Sequence, residues 1–196
     1  MRNPQSIFRN LPEVQTDRMV LRKMRPSDAE AIFAYASDPE VSRYVIWDTH
    51  RSIQDSRAFL DLILAGYEAD GEPNWGIVYK GDEKFIGTCG FVNYSREHAS
   101  AELGYVLSRS YWGRGLMPEA VRAMIRFGFQ RMDLNRIEAR CIAKNTASAR
   151  VMEKAGMTRE GTLRESELIK GAFRDMKRYS ILRREFEAAT DRRRRG

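Results

Sequence analysis

The sequence predicts a mixed α+β fold, a largely antiparallel sheet with one parallel strand pair inside it. Three observations lead there. β-forming residues cluster in short runs at 75–79, 85–92, 101–107 and 137–143. Apolar residues recur at helical spacing within 29–36, 59–67, 117–125 and 148–155. Strand, glycine-containing loop, helix and strand then follow one another over 101–143, an order that makes a βαβ unit with parallel strands.

Bulk properties narrow the class. At 196 residues the chain is long enough for one well-buried core and short for two. We therefore expect one domain over 1–189 and a basic, disordered tail at 190–196. No apolar run approaches the roughly 18 residues of a membrane span, and residues 1–10 lack the apolar centre of a signal peptide. A cytoplasmic protein with no membrane partner is expected. Cys89 and Cys141, the only two cysteines, each sit in an apolar segment and read as buried side chains, not as a disulfide framework or thiolate site. His50 and His98 are the only histidines, and their polar surroundings support neither a Ser-His-Asp triad nor a metal cluster. The net charge of +7 suits acidic partners, but much of it lies in Arg192, Arg193, Arg194 and Arg195. A solvated tail is the plain reading there, and nucleic-acid contact its alternative. Monomer and homodimer are both compatible with the chain.

The elements follow in order. After a polar lead, 18–24 reads as a strand bounded by charges. Ser27 and Glu30 have the spacing of a reciprocal helix cap, with Ala29, Ile32, Phe33 and Ala36 as the stripe of a first helix ending near Asp38 and Pro39. An irregular loop at 41–51 precedes a second helix, opened by Ser52 and Asp55, with Phe59, Leu60, Ile63, Leu64 and Tyr67 on one side. The runs at 75–79 and 85–92 form a hairpin around Lys80, Gly81 and Asp82. In the next strand, Ala101, Leu103, Tyr105 and Leu107 share one face and Glu102, Gly104 and Val106 the other. Past the loop, Met117, Ala120, Val121, Met124 and Ile125 form a stripe, and Pro118 fits the first turn, where its missing N–H is not needed. The run 137–143 reads as a buried strand. Asn145 caps another helix, which Gly156 stops. The segments 157–169 and 173–186 flank Lys170 and Gly171 as a final hairpin.

The stretch at 111–120, Y-W-G-R-G-L-M-P-E-A, is the one the rest is organised around. Gly113 and Gly115 free the backbone to turn its amides toward one point, and the following helix adds its own unpaired N–H groups. That makes an anion seat, with a diphosphate as its natural occupant. A Rossmann site would need a third glycine where Pro118 stands, and a P-loop a Lys-Ser/Thr pair after its glycine; both are missing.

Taken with E-L-G-Y-V-L before it, N-T-A-S-A-R-V-M-E-K-A-G-M and E-G-T-L-R-E-S-E-L-I-K-G after it, this stretch resembles the GNAT superfamily of acetyl-CoA-dependent N-acetyltransferases. Within it the resemblance is to the ribosomal-protein N-terminal acetyltransferases, the Rim type. It implies a GNAT fold: a mostly antiparallel seven-stranded mixed sheet, a central splayed parallel pair and flanking helices. The family's phosphate-loop signature falls on Trp112, Gly113, Arg114, Gly115, Leu116 and Met117; Trp112 replaces the usual Gln/Arg and Met117 the last small residue. The resemblance further implies that acetyl-CoA is the co-substrate and that its pantetheine arm lies between the strands carrying Leu107 and Cys141. There the amides of Val106 and Leu107 would bond it like an added strand. Asn145 and Ser148 would face the same arm, Ser148 near the thioester sulfur, and Glu167 matches a proposed general base.

The expected chemistry is direct attack by a primary amine. Glu167 would accept the ammonium proton, with Glu102 as a second candidate; an amide near Val106 would stabilise negative charge on the acyl oxygen; Ser148 would bond the sulfur or close a helical turn. Arg114 and Lys154 are phosphate contacts or solvated charges, and Trp47 packs the core or lines the acceptor site. The expected acceptor is the N-terminal amine of a protein, a ribosomal one by resemblance. Alternatives are a small amine (polyamine, aminoglycoside or amino acid) and a non-catalytic basic module for ribosome or nucleic acid.

Overall fold

In the computed structural model, which describes residues 10–69 and 71–195, the alternating runs pair as one sheet. The expectations for residues 1–10 lie, up to residue 9, outside the described residues. In chain order the elements are β1 (Val14–Gln15), β2 (Met19–Arg22), a 3-10 turn (Pro26–Asp28), α1 (Ala29–Ala36), α2 (Pro39–Ser42), α3 (Ile53–Glu68), β3 (Asn74–Tyr79), β4 (Phe85–Ser95) and β5 (Ser100–Leu107). A second 3-10 turn (Arg109–Tyr111), α4 (Leu116–Arg131), β6 (Arg136–Ile142), α5 (Thr146–Lys154), β7 (Thr158–Ile169), β8 (Ala172–Leu182) and α6 (Arg183–Arg195) complete the described chain.

The sheet has eight strands in the order β1-β2-β3-β4-β5-β6-β8-β7. The strand beyond the expected seven is the two-residue β1, which pairs Val14 with Leu21 and Gln15 with Val20 and is too short to leave a periodic signal. Every pairing is antiparallel except β5–β6, where Ser100, Ala101 and Glu102 face Arg136, Ile137 and Glu138. Pairing stops there, although β5 runs on to Leu107 and β6 to Ile142. This is the expected splay, a wedge whose two edges carry unpaired backbone groups.

Two apolar clusters pack against the sheet. The larger joins α4 and α5 to Trp75, Phe91, Leu103 and Ile137; the smaller joins α1 and α3, with Val106 and Trp47 packed against it. Successive side chains of β5 point to opposite faces, so Ala101, Leu103 and Leu107 serve the first cluster and Val106 the second. Cys89 and Cys141 are buried and unpaired, as expected.

The first helix differs in its cap. Asp28, not Glu30, reaches back, accepting from the Arg25 amide at 2.7 Å while its two oxygens take the Arg22 guanidinium at 2.8 Å. A buried carboxylate bonded by a guanidinium and an amide outcompetes a solvated Glu30. The expected cap of α3 is present: Asp55 Oδ2 accepts from the amides of Arg51 at 2.7 Å and Ser52 at 3.0 Å. Those amides hold the Asp55 carboxyl below its ordinary value.

The largest correction is at the C-terminus. The segment expected as a disordered tail from residue 190 is helical to Arg195, as part of α6. Its start takes the last four residues assigned to the final strand. Glu185 accepts from the Leu182 amide at 2.9 Å, Phe186 packs on Phe129 with ring centroids 5.1 Å apart, and no Gly or Pro interrupts 183–195. Charge run and anchored helix share a composition; the anchor was the unread signal.

Candidate active site

The anion seat forms as the glycines require. Gly113 and Gly115 have φ of +75° and +73°, a region other residues rarely adopt, and Gly115 is the residue from which α4 starts. Among the described residues, no protein acceptor meets the amides of Gly113, Arg114, Gly115, Leu116 or Met117. Unpaired donors at a helix start are a fitting seat for a diphosphate. The loop is braced from far away in sequence: Arg18 donates to the Arg114 carbonyl at 2.9 Å and pairs with Glu119 at 2.7 Å. Trp112, half exposed, donates its indole N–H to the Leu107 carbonyl at 2.7 Å and so joins loop to strand. Arg114 stacks over Tyr111 at 5.0 Å. Leu116 and Met117 point into the core, so of these two the cradle is offered the backbone alone. Lys154 lies at the far end of α5, where its carbonyl accepts from Arg122 at 2.9 Å.

The wedge supplies the second part. The bond from the Ser108 amide to the Ile86 carbonyl, 2.7 Å, fixes the alternation along β4–β5. With Thr88 opposite Val106 and Gly87 opposite Leu107, the Val106 amide turns toward β4, and the backbone groups of Leu103, Tyr105 and Leu107 turn toward the opening. Val106 is thus corrected as an amide donor to the wedge. It contributes its side chain, and Leu107 remains of the expected pair.

A cleft of about 540 Å³ continues from this opening. Its wall includes Trp47 and His50 from the loop at 41–51, Glu102 and Tyr105 from β5, Arg140 and Cys141 from β6, Ser148 from α5 and Glu167 from β7. Glu102, Ser148, Glu167 and Trp47 therefore share one wall, Trp47 also packing on the smaller core, while the loop residues 112–117, Leu107 and Lys154 lie outside it. The roof is fastened by Lys170, which donates to the Ser42 carbonyl at 2.6 Å.

Asn145 caps α5 by accepting from the Ser148 amide at 3.0 Å, which sets that helix start against the wedge. The Ser148 hydroxyl is 2.9 Å from the Tyr105 hydroxyl, which also reaches the Ser148 carbonyl at 3.1 Å. Burial pushes the Tyr105 hydroxyl well above its ordinary value, so it stays protonated. His50 is not part of a triad: its Nδ1 pairs with Ser56 at 2.7 Å, and burial lowers its pKa.

The two candidate bases share one guanidinium. Arg140 Nη1 is 3.1 Å from Glu102 Oε2, and its Nε is 3.1 Å from Glu167 Oε1. Arg178 reaches Glu167 Oε1 at 3.3 Å, and Asn93 donates to Glu102 Oε2 at 3.1 Å. Glu102 is only 6% exposed, and burial raises its pKa against the opposing pull of Arg140 and Asn93. Irregular backbone aims both sides of the cluster. The β4–β5 register shifts between Val92 and Ser95, where Asn93 has a φ of +52°, and β7–β8 shifts between Leu163 and Glu167, where Glu165 has a φ of +48°.

Arg140, Tyr105, Asn93 and Arg18 were not singled out from sequence. Arg140 had a signal: Glu138 and Arg140 alternate with apolar neighbours in β6, a charged face in a strand otherwise read as buried.

An eight-stranded mixed sheet, opened at its one parallel pair, with unpaired loop amides beside a cleft, is the arrangement of an acyl-group transferase. Comparison with known proteins agrees. Residues 18–158 match the acetyltransferase (GNAT) domain, and the chain belongs to that family. The protein is an acetyltransferase of the GNAT fold. N-acetyltransferase p20 of Bacillus licheniformis, itself uncharacterized, is 37% identical over 172 residues, 87% of this chain and 96% of that one. A GNAT-family acetyltransferase from Bacillus anthracis has a solved structure that superposes with a TM-score of 0.80 at 31% identity, covering 88% of this chain and 99% of that one. The ribosomal protein uS5-alanine N-acetyltransferase of Escherichia coli is 28% identical over 176 residues, 85% of this chain and 89% of that one.

Proposed function

We propose that this acetyltransferase takes its acetyl group from acetyl-CoA and places it on the N-terminal amine of a protein, in the cytoplasm. The observation that carries the acceptor reading is the charge balance of the cleft. Among the described residues its wall holds two carboxylates, Glu102 and Glu167, against one guanidinium, Arg140, with otherwise mostly apolar or small side chains around them. Arg178, 3.3 Å from Glu167 just outside that wall, offsets much of the remaining negative charge, so the cleft suits at most a single ammonium. A polyamine or aminoglycoside brings several and would leave most unmatched in an apolar cleft. The similarity to a ribosomal-protein alanine N-acetyltransferase supports the same reading.

The free amides of 113–117 fit a diphosphate, and the Leu107 backbone, open toward the wedge, fits a pantetheine amide. When bound, the thioester supplies an activated acetyl group. The protein's own residues do the rest. Glu102 Oε1 faces no partner among the described residues, and burial raises its pKa; it takes the proton from the incoming ammonium. Glu167, held by two guanidiniums, orients the amine. Ser148, in contact with the protonated Tyr105 hydroxyl, holds a proton for the departing sulfur.

The test is acetyl-CoA turnover across amine classes. Peptides beginning with Ala or Ser should be acetylated at the α-amine, and spermidine and an aminoglycoside should be poor acceptors. Turnover restricted to the polycations would replace the protein acceptor with a small amine.

A further inference from the structure

We propose that Arg140 is a positioning residue for acetyl transfer, its guanidinium bridging Glu102 and Glu167 so that both carboxylates are fixed at the floor of the acceptor cleft with one oxygen of each turned to the incoming amine. It rests on the reading of these carboxylates as the acceptor-side machinery, whatever amine the cleft takes.

The geometry is specific to a planar fork. Nη1 engages β5 through Glu102 and Nε engages β7 through Glu167, both at 3.1 Å, so one side chain of β6 ties the last paired residue of β5 to β7, a strand that β6 does not neighbour. β5 has left β6 after Glu102, and β7 reaches β6 only through β8. Glu102 is the last residue of β5 paired with β6, opposite Glu138, so the Arg140 side chain holds β5 at the point where the two strands part. Glu102 Oε2 accepts from Arg140 and Asn93, while Glu167 Oε1 accepts from Arg178 and lies 3.1 Å from Arg140 Nε as an ion pair. The opposite oxygen of each is left for an amine. A lysine could carry the charge but has no rigid guanidinium to reach both carboxylates from fixed positions.

The charged and titratable groups around the cluster come from every element packed on it. They are Glu102 and Tyr105 from β5, Glu138, Arg140 and Cys141 from β6, Glu167 from β7, Arg178 from β8, and Tyr35, Tyr44 and His50 on the cleft wall; Asn93 of β4 adds an uncharged donor. Arg140 is the first counterweight to the burial of Glu102. Without it, the Glu102 proton should leave at higher pH.

Two measurements test this in the full chain. The Glu102 side-chain carboxyl, followed by 13C NMR against pH without any acceptor, should titrate about one pH unit higher in Arg140→Met than in wild type, the lower end of the effect of a neighbouring opposite charge. In Arg140→Lys the midpoint should stay close to wild type. Steady-state turnover of an Ala-initiated peptide, or of spermidine if that alone is accepted, should then show the acid limb of kcat/KM displaced upward by a similar amount in Arg140→Met. In Arg140→Lys the limb should remain in place with kcat reduced about tenfold or more from lost orientation. Should Arg140→Met not fold, Arg140→Gln provides the neutral variant. A Glu102 midpoint and acid limb unmoved in the neutral variant, with only a uniform loss of rate, would make Arg140 a structural side chain and overturn the proposal. A lysine variant as active as wild type would overturn the fork. A protein acetylating only small amines would refute the N-terminal acceptor and leave this inference standing.

Discussion

Glu102 shows how a single residue's burial becomes a measurable property. Its folded-state pKa is raised above the ordinary 4.5, so the folded protein holds this proton more tightly than the unfolded chain. The associated stability is fully present below the unfolded value and is lost as pH rises through the folded one. Urea unfolding of Glu102→Gln should therefore show a smaller loss of stability over that rise than wild type; equal slopes would mean that the carboxylate is better solvated than its 6% exposure implies. Ser148 and Tyr105 make a second residue-scale case. Because two hydroxyls lie 2.9 Å apart, either can hold the proton for the sulfur, and Ser148→Ala should lower kcat by less than the roughly 100-fold expected for loss of a sole acid. The double variant with Tyr105→Phe should fall further than either single one. A Ser148→Ala variant already as slow as the double variant would leave Tyr105 no part in proton delivery.

At the scale of elements, the loop before α4 works through backbone conformation. A β-branched residue at Gly115 would have to hold a φ of +73°, at a cost of about 1–3 kcal/mol, and would turn the seat's amides away from one another. Gly115→Val should keep its far-ultraviolet circular dichroism and lose coenzyme A affinity by calorimetry; unchanged affinity would place the diphosphate elsewhere. The glycines and Asn145 were legible in the sequence because each acts through its own backbone or the next turn. Arg140, Asn93 and Arg18 were not, because their partners lie on other strands, 96 residues away for Arg18 and Arg114. The amide of Val106 was misassigned for a similar reason: which way a strand residue's N–H points depends on the register with its neighbour, which β4 alone sets.

For the molecule as a whole, the parallel pair is the organising fact. Strand, loop, helix and strand in that order announced it, and the splay needed the resemblance to be anticipated, since nothing local in β5 marks where pairing ends. The C-terminal helix escaped because its anchor, Phe186 on Phe129, joins residues distant in sequence. Phe186→Ala should cost roughly 1–2 kcal/mol, less than a fully buried phenylalanine, as a lowered Tm. A Tm equal to wild type would mean that α6 is held by other contacts. The wedge and the glycine loop should grip one ligand together, and amide NMR of the 15N-labelled protein titrated with coenzyme A tests that most directly. We expect the largest shifts at Gly113–Met117 and, in the same titration with one affinity, at Tyr105 and Leu107. Saturable binding that leaves those amides in place and shifts another surface would contradict it.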